Sequence, residues 1–331
     1  MRRTVYIVAS LLLLSMAFIV CGCRAPAGDR TPVNGGPAFE APLGIAVEAD
    51  GNLVVVDIDL KRVLRVNPVN GTRSIVSDAG RGSGPCFETV WDIAVEDDGS
   101  LMVVDSGLHA LNAVLRVDPV SGDRSIVSGG GTGSGTPFGQ GPIAIAVEAG
   151  GSLVVLDQDL EAVVRVNPAS GARSVLSGSG RGSGPAFSAP TGIAVEADGG
   201  LVIVDNGLEA VLRVDPVSGD RVIVSDSGTG SGPSFKVPWD IAVEADGQLV
   251  VADRMLKAVL RVDPANGNRS ILSDADTGSG PDLGGRDGRP NGIAVEADGT
   301  LVVTVAGFEA VLRIDPLTGD RTVLSNSPSD D

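Results

Sequence analysis

One short unit recurs six times along this chain, and this repetition limits the possible folds more than any other feature. A regular copy, Pro190 to Ser225, reads PTGIAVEADGGLVIVDNGLEAVLRVDPVSGDRVIVS. The tripeptide Ile-Ala-Val anchors each copy at intervals of 48 or 52 residues, starting at Ile45, Ile93, Ile145, Ile193, Ile241 and Ile293. A unit of this length is too short for an independent domain and is typical of repeat architectures.

Each unit contains four short apolar runs separated by turn residues. Asp198-Gly199 lies between the first two runs, and Asp215-Pro216 with Gly219 lies between the last two. Asp-Gly pairs, and proline followed by glycine, are typical of tight turns between β-branched strands. The unit is therefore predicted to be a four-stranded antiparallel meander.

A four-stranded sheet with two apolar faces cannot bury both faces by itself, so each sheet needs a neighbour on either side. Closing six sheets into a ring covers the first and last sheets as well. We therefore predict an all-β fold, a six-bladed β-propeller with four antiparallel strands per blade, over residues 37–326. An open β-solenoid is the alternative, but its coils are usually shorter and lack three successive hairpin turns.

The beginning of the chain has the features of a targeting signal. Two arginines precede an apolar run from Val5 to Val20, which is shorter than a bilayer span and typical of a signal peptide. The run ends near Gly22-Cys23, which resembles the bacterial lipoprotein signal, in which a cysteine is lipidated and becomes the mature N-terminus. The resemblance implies a signal peptide over residues 1–22, a lipid on Cys23 and a location in the bacterial cell envelope, facing the periplasm or the exterior. A secreted protein is the alternative.

Residues 23–36 are rich in proline, glycine and polar residues and are predicted to be a flexible tether, and residues 327–331 are predicted to be a C-terminal tail. If Cys21 leaves with the signal and Cys23 carries lipid, Cys86 is the one remaining thiol, so we expect no intrachain disulfide. We expect the protein to be a monomer.

The chain carries a formal net charge of −17, from 42 acidic and 25 basic residues. An acidic surface repels phosphate backbones and anionic headgroups, so nucleic acid is not an expected partner. Membrane contact is expected only through the N-terminal lipid.

Charged residues that recur in every unit are predicted to be structural. Such groups are expected to satisfy loop backbone and to join neighbouring blades, because a device needed in every blade builds the ring. The repeated positions are Arg65, Arg116, Arg165, Arg213, Arg261 and Arg313 in the third run; Arg73, Arg124, Arg173, Arg221, Arg269 and Arg321 at the fourth; and Asp57, Asp105, Asp157, Asp205 and Asp253 after the second.

The unit PxGIAVEADGxLVVVDxxLxAVLRVDPxSG resembles the NHL-type and streptogramin-lyase-like six-bladed propellers, and it is more distantly similar to the gluconolactonase and regucalcin family. The resemblance extends from Pro37 to about Ser325. It implies the propeller architecture. It does not select an activity, because binding modules, lactonases, lyases and structural proteins share this architecture.

The two enzyme branches of the resemblance imply particular residues. The lactonases are similar in holding a metal, with calcium as the ion, and one ligand lies in an Asn-Gly pair that Asn291-Gly292 matches. Asp92 and Asp240 are the nearest acids, but they are offset by one strand position, and successive strand residues face opposite sides. The lyases imply a histidine base, for which His109 is the single candidate. No other cofactor is expected.

Local function is expected where the repeat is broken, because the regular positions already build the ring. Three breaks are predicted to share one face, and they suit a partner that is a protein or a carbohydrate. They are the pairs Trp91-Asp92 and Trp239-Asp240, the insertion around His109, and the long crossover that carries Arg286 and Arg289.

The sequence therefore predicts a non-catalytic binding or scaffold lipoprotein of the cell envelope that presents this irregular face. The predicted ligand-binding residues are Trp91, Asp92, Trp239, Asp240, Asn291, Arg286 and Arg289. One alternative is a metal-dependent lactonase that uses Asn291, Asp92 and Asp240, and another is a lyase that uses His109. A structural alternative is that both tryptophans only cap the inner packing.

Overall fold

The computed structural model describes residues 35–107, 111–281, 283 and 288–327. Within these ranges six antiparallel sheets follow one another, and each is built from four consecutive strands. The predicted six-bladed β-propeller is therefore confirmed. Among the described residues the helical content is one 3₁₀ turn, Ala306–Phe308, and no helix is long and apolar enough to cross a membrane.

The strands are numbered in chain order, and each blade contains four consecutive strands. Those of blades one to three are β1 Pro42–Val47, β2 Leu53–Asp57, β3 Arg62–Val66, β4 Arg73–Ser77, β5 Val90–Val95, β6 Leu101–Asp105, β7 Ala113–Val117, β8 Arg124–Ser128, β9 Pro142–Val147, β10 Leu153–Asp157, β11 Ala162–Val166 and β12 Arg173–Ser177. Those of blades four to six are β13 Pro190–Val195, β14 Leu201–Asp205, β15 Ala210–Val214, β16 Arg221–Ser225, β17 Pro238–Val243, β18 Leu249–Asp253, β19 Ala258–Val262, β20 Arg269–Ser273, β21 Pro290–Val295, β22 Leu301–Val305, β23 Ala310–Ile314 and β24 Arg321–Asn326.

The first two strands of each blade are joined by a short hairpin. In blade one, the amide of Glu48 donates to the carbonyl of Asn52 over 2.8 Å, and the amide of Gly51 donates to the carbonyl of Glu48 over 2.9 Å. Gly51 has a φ of 85°, a conformation that glycine adopts without a steric cost. The Asp-Gly pair therefore makes the turn that the sequence predicts.

The apolar core lies between neighbouring blades. Strand β2 is buried along its whole length, and the second strands of the other five blades are buried in the same way. One core cluster contains Ile45 and Leu53 of blade one together with Val302 and Val311 of blade six. The first and last blades therefore pack on each other, as ring closure requires.

The arginine at the start of each fourth strand joins its blade to the preceding one. In blade two, Arg124 Nη1 donates to Ser77 Oγ over 2.6 Å, and its Nε donates to the carbonyl of Pro85. The guanidinium also lies over the ring of Phe87, 5.2 Å from the centroid. Ser77 Oγ donates in turn to the carbonyl of Gly122 over 2.7 Å. Hydrogen bonds to a buried cation are among the stronger ones in proteins, so each blade interface has a specific polar clamp.

The same clamp closes the ring between blades six and one. Arg73 Nη1 donates to Ser325 Oγ over 2.6 Å and to the carbonyl of Asn326 over 2.8 Å. Ser325 Oγ donates to the carbonyl of Gly71 over 2.8 Å, and the amide of Phe39 donates to Ser327 Oγ over 2.6 Å. The ring is therefore closed by side chains and apolar packing, while each sheet keeps strands from a single repeat.

The repeated acids and the third-strand arginines bind loop backbone and glutamates of their own blades. The carboxylate of Asp57 accepts the amides of Glu40 and Ala41 in the crossover that leads into its own blade. Arg65 forms an ion pair with Glu48 at the end of the first strand. Three of these arginines also reach the next blade: Arg165 donates to the carbonyl of Pro216 over 2.9 Å, Arg261 to that of Pro316 over 3.0 Å, and Arg65 to that of Pro119 over 3.3 Å. The structural role predicted for these charges is confirmed.

The expectation for Cys86 was wrong. Cys86 is disulfide-bonded rather than a free thiol. Cys21 and Cys23, and with them the predicted lipidation site, lie outside the described residues.

Ring closure can be tested by comparing two arginines with matched contacts. Arg73 clamps blade one to blade six, and Arg221 makes the equivalent bonds to Ser177 Oγ and the carbonyl of Pro185 inside the ring. Each substitution, Arg73→Ala and Arg221→Ala, is expected to lower the free energy of unfolding by about 3 kcal/mol, because buried hydrogen bonds to a cation are lost. Urea unfolding of the full-length chain measures both. A clear loss in Arg221→Ala with none in Arg73→Ala would contradict a closed ring.

Candidate functional site

The channel at the centre of the ring runs between two different faces. The first strands all start at the face that also carries the blade-to-blade crossovers, which we name the crossover face; Trp91, Met255 and Asn291 lie on this side. The opposite face carries the turn between the first two strands of each blade, and we name it the hairpin face; Asp50 lies there.

Two cavities of very different size lie along the channel. The cavity towards the crossover face has a volume of about 20 Å³, which is room for one water molecule. It is lined by Gly44, Trp91, Asp92, Ile143, Ala144, Thr191, Trp239, Asp240 and Gly292. The cavity towards the hairpin face has a volume of about 400 Å³ and is lined by the Ile-Ala-Val tripeptides of all six blades.

The carboxylates of Asp92 and Asp240 satisfy backbone amides inside the channel. The first strand is the inner edge of each sheet, so part of its backbone has no partner in the ladder. Asp92 accepts the amide of Ile93 over 2.8 Å and that of Ile145 in the next blade over 2.9 Å. Asp240, in the opposite blade, accepts Ile241 and Ile293 in the same way, each over 2.9 Å. Each acid therefore joins two adjacent blades.

Glycine in the preceding blade makes room for each of these acids. A Cβ atom on Gly44 would lie 2.4 Å from Asp92 Oδ1, and a Cβ on Gly192 would lie 2.7 Å from both Cα and Oδ1 of Asp240. These distances are far below normal contact, so any larger residue would displace the acid. The acids and glycines form one arrangement that occurs twice, in opposite halves of the ring.

Burial raises the pKa of both acids above the ordinary value for aspartate. The pKa of Asp92 rises to about 6, because burial outweighs the two amide hydrogen bonds that favour its charged form. The pKa of Asp240 rises to about 8, first through burial and then through the nearby negative charge of Asp92. The two carboxyls are thus close enough to repel, and the pair holds a proton near neutral pH.

Asn291 lies beside this cavity but does not line it. Its Oδ1 accepts a hydrogen bond from Arg254 Nε over 2.7 Å, and its Nδ2 donates to the carbonyl of Pro42 over 3.2 Å. Arg254 also stacks on Trp239, with its guanidinium carbon 3.6 Å from the ring centroid. Burial and the nearby charge of Arg289 lower the pKa of Arg254 to about 10. Asn291 therefore holds a cationic side chain in place.

The lactonase-type metal site does not fit these residues. Asn291 and the two acids face different surroundings, as the one-residue offset predicted, and Arg254 occupies the oxygen that Asn291 would offer to an ion. A second cation at that oxygen would be repelled. Among the described residues, no group of three or more His, Cys, Asp or Glu side chains is arranged to hold a metal.

The structure brings together part of the predicted site. Trp91, Asp92, Trp239 and Asp240 converge on one small cavity, and both tryptophans are half-buried. Arg289 is exposed beside Arg254. The remaining two predicted residues, His109 and Arg286, lie outside the described residues.

Arg254 is a residue that the sequence analysis did not single out. It follows the second strand of blade five, where the other blades have uncharged residues. The equivalents are Ile58, Ser106, Gln158, Asn206 and Ala306. A charged residue at a position that is uncharged in the other five repeats could have been noticed in the sequence. Its contact with Trp239 and Asn291 could be recognised only in the structure, where neighbouring blades pack together.

The acid pair predicts a pH dependence of stability. Both folded-state pKa values exceed the unfolded value of about 3.9, so unfolding releases protons between about pH 4 and pH 8. The free energy of unfolding should therefore fall as the pH rises through this window, by at most about 1.4 kcal/mol per pH unit for each proton. Urea unfolding at pH 5 and pH 8 should show a smaller fall for Asp240→Asn than for the unaltered chain.

The control for this experiment is Asp50→Asn, which removes an exposed carboxylate on the hairpin face. It should keep the pH dependence of the unaltered chain. Other buried acids with raised pKa values, such as Asp57 and Asp105, contribute equally to all three proteins. An Asp240→Asn protein that loses as much stability as the unaltered chain would show that Asp240 is ionised throughout the window.

Comparisons with known proteins show the fold. No protein-family model and no curated protein matches the chain. Solved structures that resemble it include virginiamycin B lyase from Staphylococcus aureus, with 16% identity over 88% of this chain and 85% of that one and a TM-score of 0.59. A gluconolactonase from Xanthomonas campestris has 18% identity over 82% of this chain and 84% of that one, with a TM-score of 0.61.

A chain in the crystal structure of a nidogen–laminin complex is similar to the same degree, with 15% identity over 87% of this chain and 94% of that one and a TM-score of 0.61. At such low identities the likeness concerns the backbone and does not transfer an activity. The chain therefore has the six-bladed propeller fold found in streptogramin B lyases, gluconolactonases and components of protein complexes.

Proposed function

We propose that this protein is a non-catalytic binding module that presents its crossover face to a protein partner at the cell envelope. One observation carries the proposal. The described cavity that holds reactive groups is too small for a substrate, and the described cavity with room for a substrate is lined by Ile, Ala and Val alone.

The sizes of the two described cavities support binding rather than catalysis. Sites for small molecules usually measure about 300–1,000 Å³, so a cavity of about 20 Å³ beside Asp92 and Asp240 holds no substrate. The cavity of about 400 Å³ is large enough, but no acid, base or nucleophilic side chain lines it. The cavity that is large enough for a substrate and the side chains that could react therefore lie at different places along the channel.

The polar side chains at the narrow cavity are already engaged in building the ring. Both oxygens of Asp92 accept backbone amides, and so do both oxygens of Asp240. Thr191 Oγ1 donates to the carbonyl of Pro238 over 3.0 Å. Groups held in this way stabilise blade contacts, and their oxygens are engaged with backbone rather than directed at a substrate, as a general acid or base requires.

The crossover face has features that suit a protein partner. Met255 has 56% of its surface exposed and follows Arg254, which stacks on the half-buried Trp239. Exposed methionine, tryptophan and arginine side chains are enriched in protein interfaces. A propeller of this fold in a nidogen–laminin complex supports the same kind of role. A carbohydrate is the other partner that the two tryptophans would suit.

The proposed location follows from the N-terminal signal. Removal of Cys21 with the signal and lipidation of Cys23 would use both other cysteines of the chain, so this lipid anchor and an intrachain disulfide of Cys86 exclude each other in one molecule. A lipid on Cys23 would hold the propeller at a membrane, and the tether over residues 23–36 would allow it to move about 20 Å from the anchor, as expected for a flexible chain of that length. The acidic propeller would itself be repelled by anionic headgroups. A protein anchored in this way is suited to bind a partner in the envelope.

Site-specific photo-crosslinking in the native cells tests the proposal. A photoreactive phenylalanine analogue replaces Met255 on the crossover face or, as the control, the exposed Asp50 on the hairpin face. We expect one discrete adduct that a protease digests from Met255 and none from Asp50. Adducts from Asp50 alone, equal adducts from both positions, or an adduct that resists protease would contradict a protein partner at the crossover face.

A further inference from the structure

We propose that Arg254 and Arg289 form a binding site for one carboxylate group of the partner. This inference rests on the proposed function and specifies the chemistry of the partner. The inference is based on two neighbouring arginines on the crossover face, each at a position where the other five blades have no charged residue.

Both arginines occupy positions that the other blades fill without charge. Arg254 stands where the opposite blade has Ser106, and Arg289, just before strand β21, stands where the opposite blade has Gly141. The remaining equivalents of Arg289 are Ala41, Thr89, Ala189 and Val237. Ring building therefore does not require a cation at either position.

The two arginines are neighbours on the crossover face, because Arg254 donates to Asn291 over 2.7 Å and Arg289 stands two residues before Asn291. The charge of Arg289 also contributes to the lowered pKa of Arg254, so the two groups repel. Within the described ranges, ion pairs join Lys61 to Glu88 and arginines of the third strands to glutamates, but none includes Arg254 or Arg289. In a chain with 42 acidic and 25 basic residues, two adjacent cations that form no ion pair with a described acid are an unusual arrangement. A bound carboxylate would remove the repulsion between them.

Arg254 is fixed in place before any ligand binds. Its planar group stacks on Trp239, and its Nε donates to Asn291. An arginine has five N–H donors, so the terminal nitrogens of Arg254 remain for a ligand. A held guanidinium loses little conformational freedom on binding, and its paired donors match the two oxygens of a carboxylate. Arg289 is exposed and supplies the second cation from the edge of the site.

The overall charge of the chain limits the size of the anionic ligand. A net charge of −17 repels extended polyanions, so a polymer with many negative groups is disfavoured. A single carboxylate on a protein surface avoids most of that repulsion, because it meets the two arginines at short range. An aspartate, a glutamate or a C-terminal carboxylate of the partner fits these conditions.

The two tryptophans of the chain provide a direct test, because they occupy equivalent positions in opposite blades. Trp239 is covered by Arg254, whereas the equivalent of Arg254 beside Trp91 is Ser106. In ¹⁵N-labelled full-length protein, each indole N–H gives one NMR signal. Titration with sodium acetate, at ionic strength held constant with sodium chloride, should shift the Trp239 signal to saturation and leave that of Trp91 unchanged.

Two variants complete the design. Arg289→Ala should weaken the apparent affinity for acetate by about tenfold, because one charge-assisted contact is lost. Arg181→Ala removes an exposed arginine from another crossover and should leave the affinity unchanged. Trp91→Phe identifies the two signals. Since Arg289 is exposed, its replacement should not prevent folding, and the remaining indole signals report whether the fold is intact.

Several results would overturn the site. They are an equal shift with chloride alone, parallel shifts of both tryptophans, an unchanged affinity in Arg289→Ala, and saturation by inorganic phosphate but not by acetate. None of these results depends on the partner. A protein that forms adducts from position 255 but does not respond to acetate would retain the proposed function and lose this site.

Discussion

The structure depends on the cover that each sheet receives from its two neighbours. A blade with two apolar faces leaves its second strand buried only while another blade stands on each side. Apolar packing supplies most of the free energy of this contact, and the clamp of arginine, serine and a backbone carbonyl sets its geometry. Because the clamp between Arg73 and Ser325 matches those inside the ring, the first and last blades have no exposed faces.

The same constraint explains where a specific function can lie. Positions that every blade uses are committed to packing and clamping, so they cannot vary without loss of stability. The inner edges of the sheets are less constrained, and there the chain places Trp-Asp pairs in two opposite blades. The acids of these pairs accept backbone amides that have no partner in the strand ladder. The Trp and Asp side chains narrow this part of the channel, where the remaining cavity has a volume of about 20 Å³. This narrowing is one reason why we propose recognition at the outer surface of the crossover face.

The fold was predictable because periodicity alone required it. Six meanders with turn residues at fixed places allow few ways to bury their apolar faces. The offset between Asn291 and the two acids was also predictable, since alternate residues of a strand face opposite sides. The contact of Arg254 with Asn291 was not, because the two residues are 37 positions apart and meet only across a blade interface. Cys86 was predicted to be a free thiol from an assumed fate of the N-terminal cysteines, and spacing gave no information about its partner.

The exchange rates of backbone amide hydrogens test most directly whether all six blades are equivalent members of a closed ring. In an open array the terminal repeats fray first, so their amides exchange fastest. In a closed ring the buried second strands of the terminal blades, β2 and β22, should be protected as strongly as β10 and β14 inside the ring. Equal protection by mass spectrometry is the predicted result. Rapid exchange confined to β2 and β22 would contradict the closed ring.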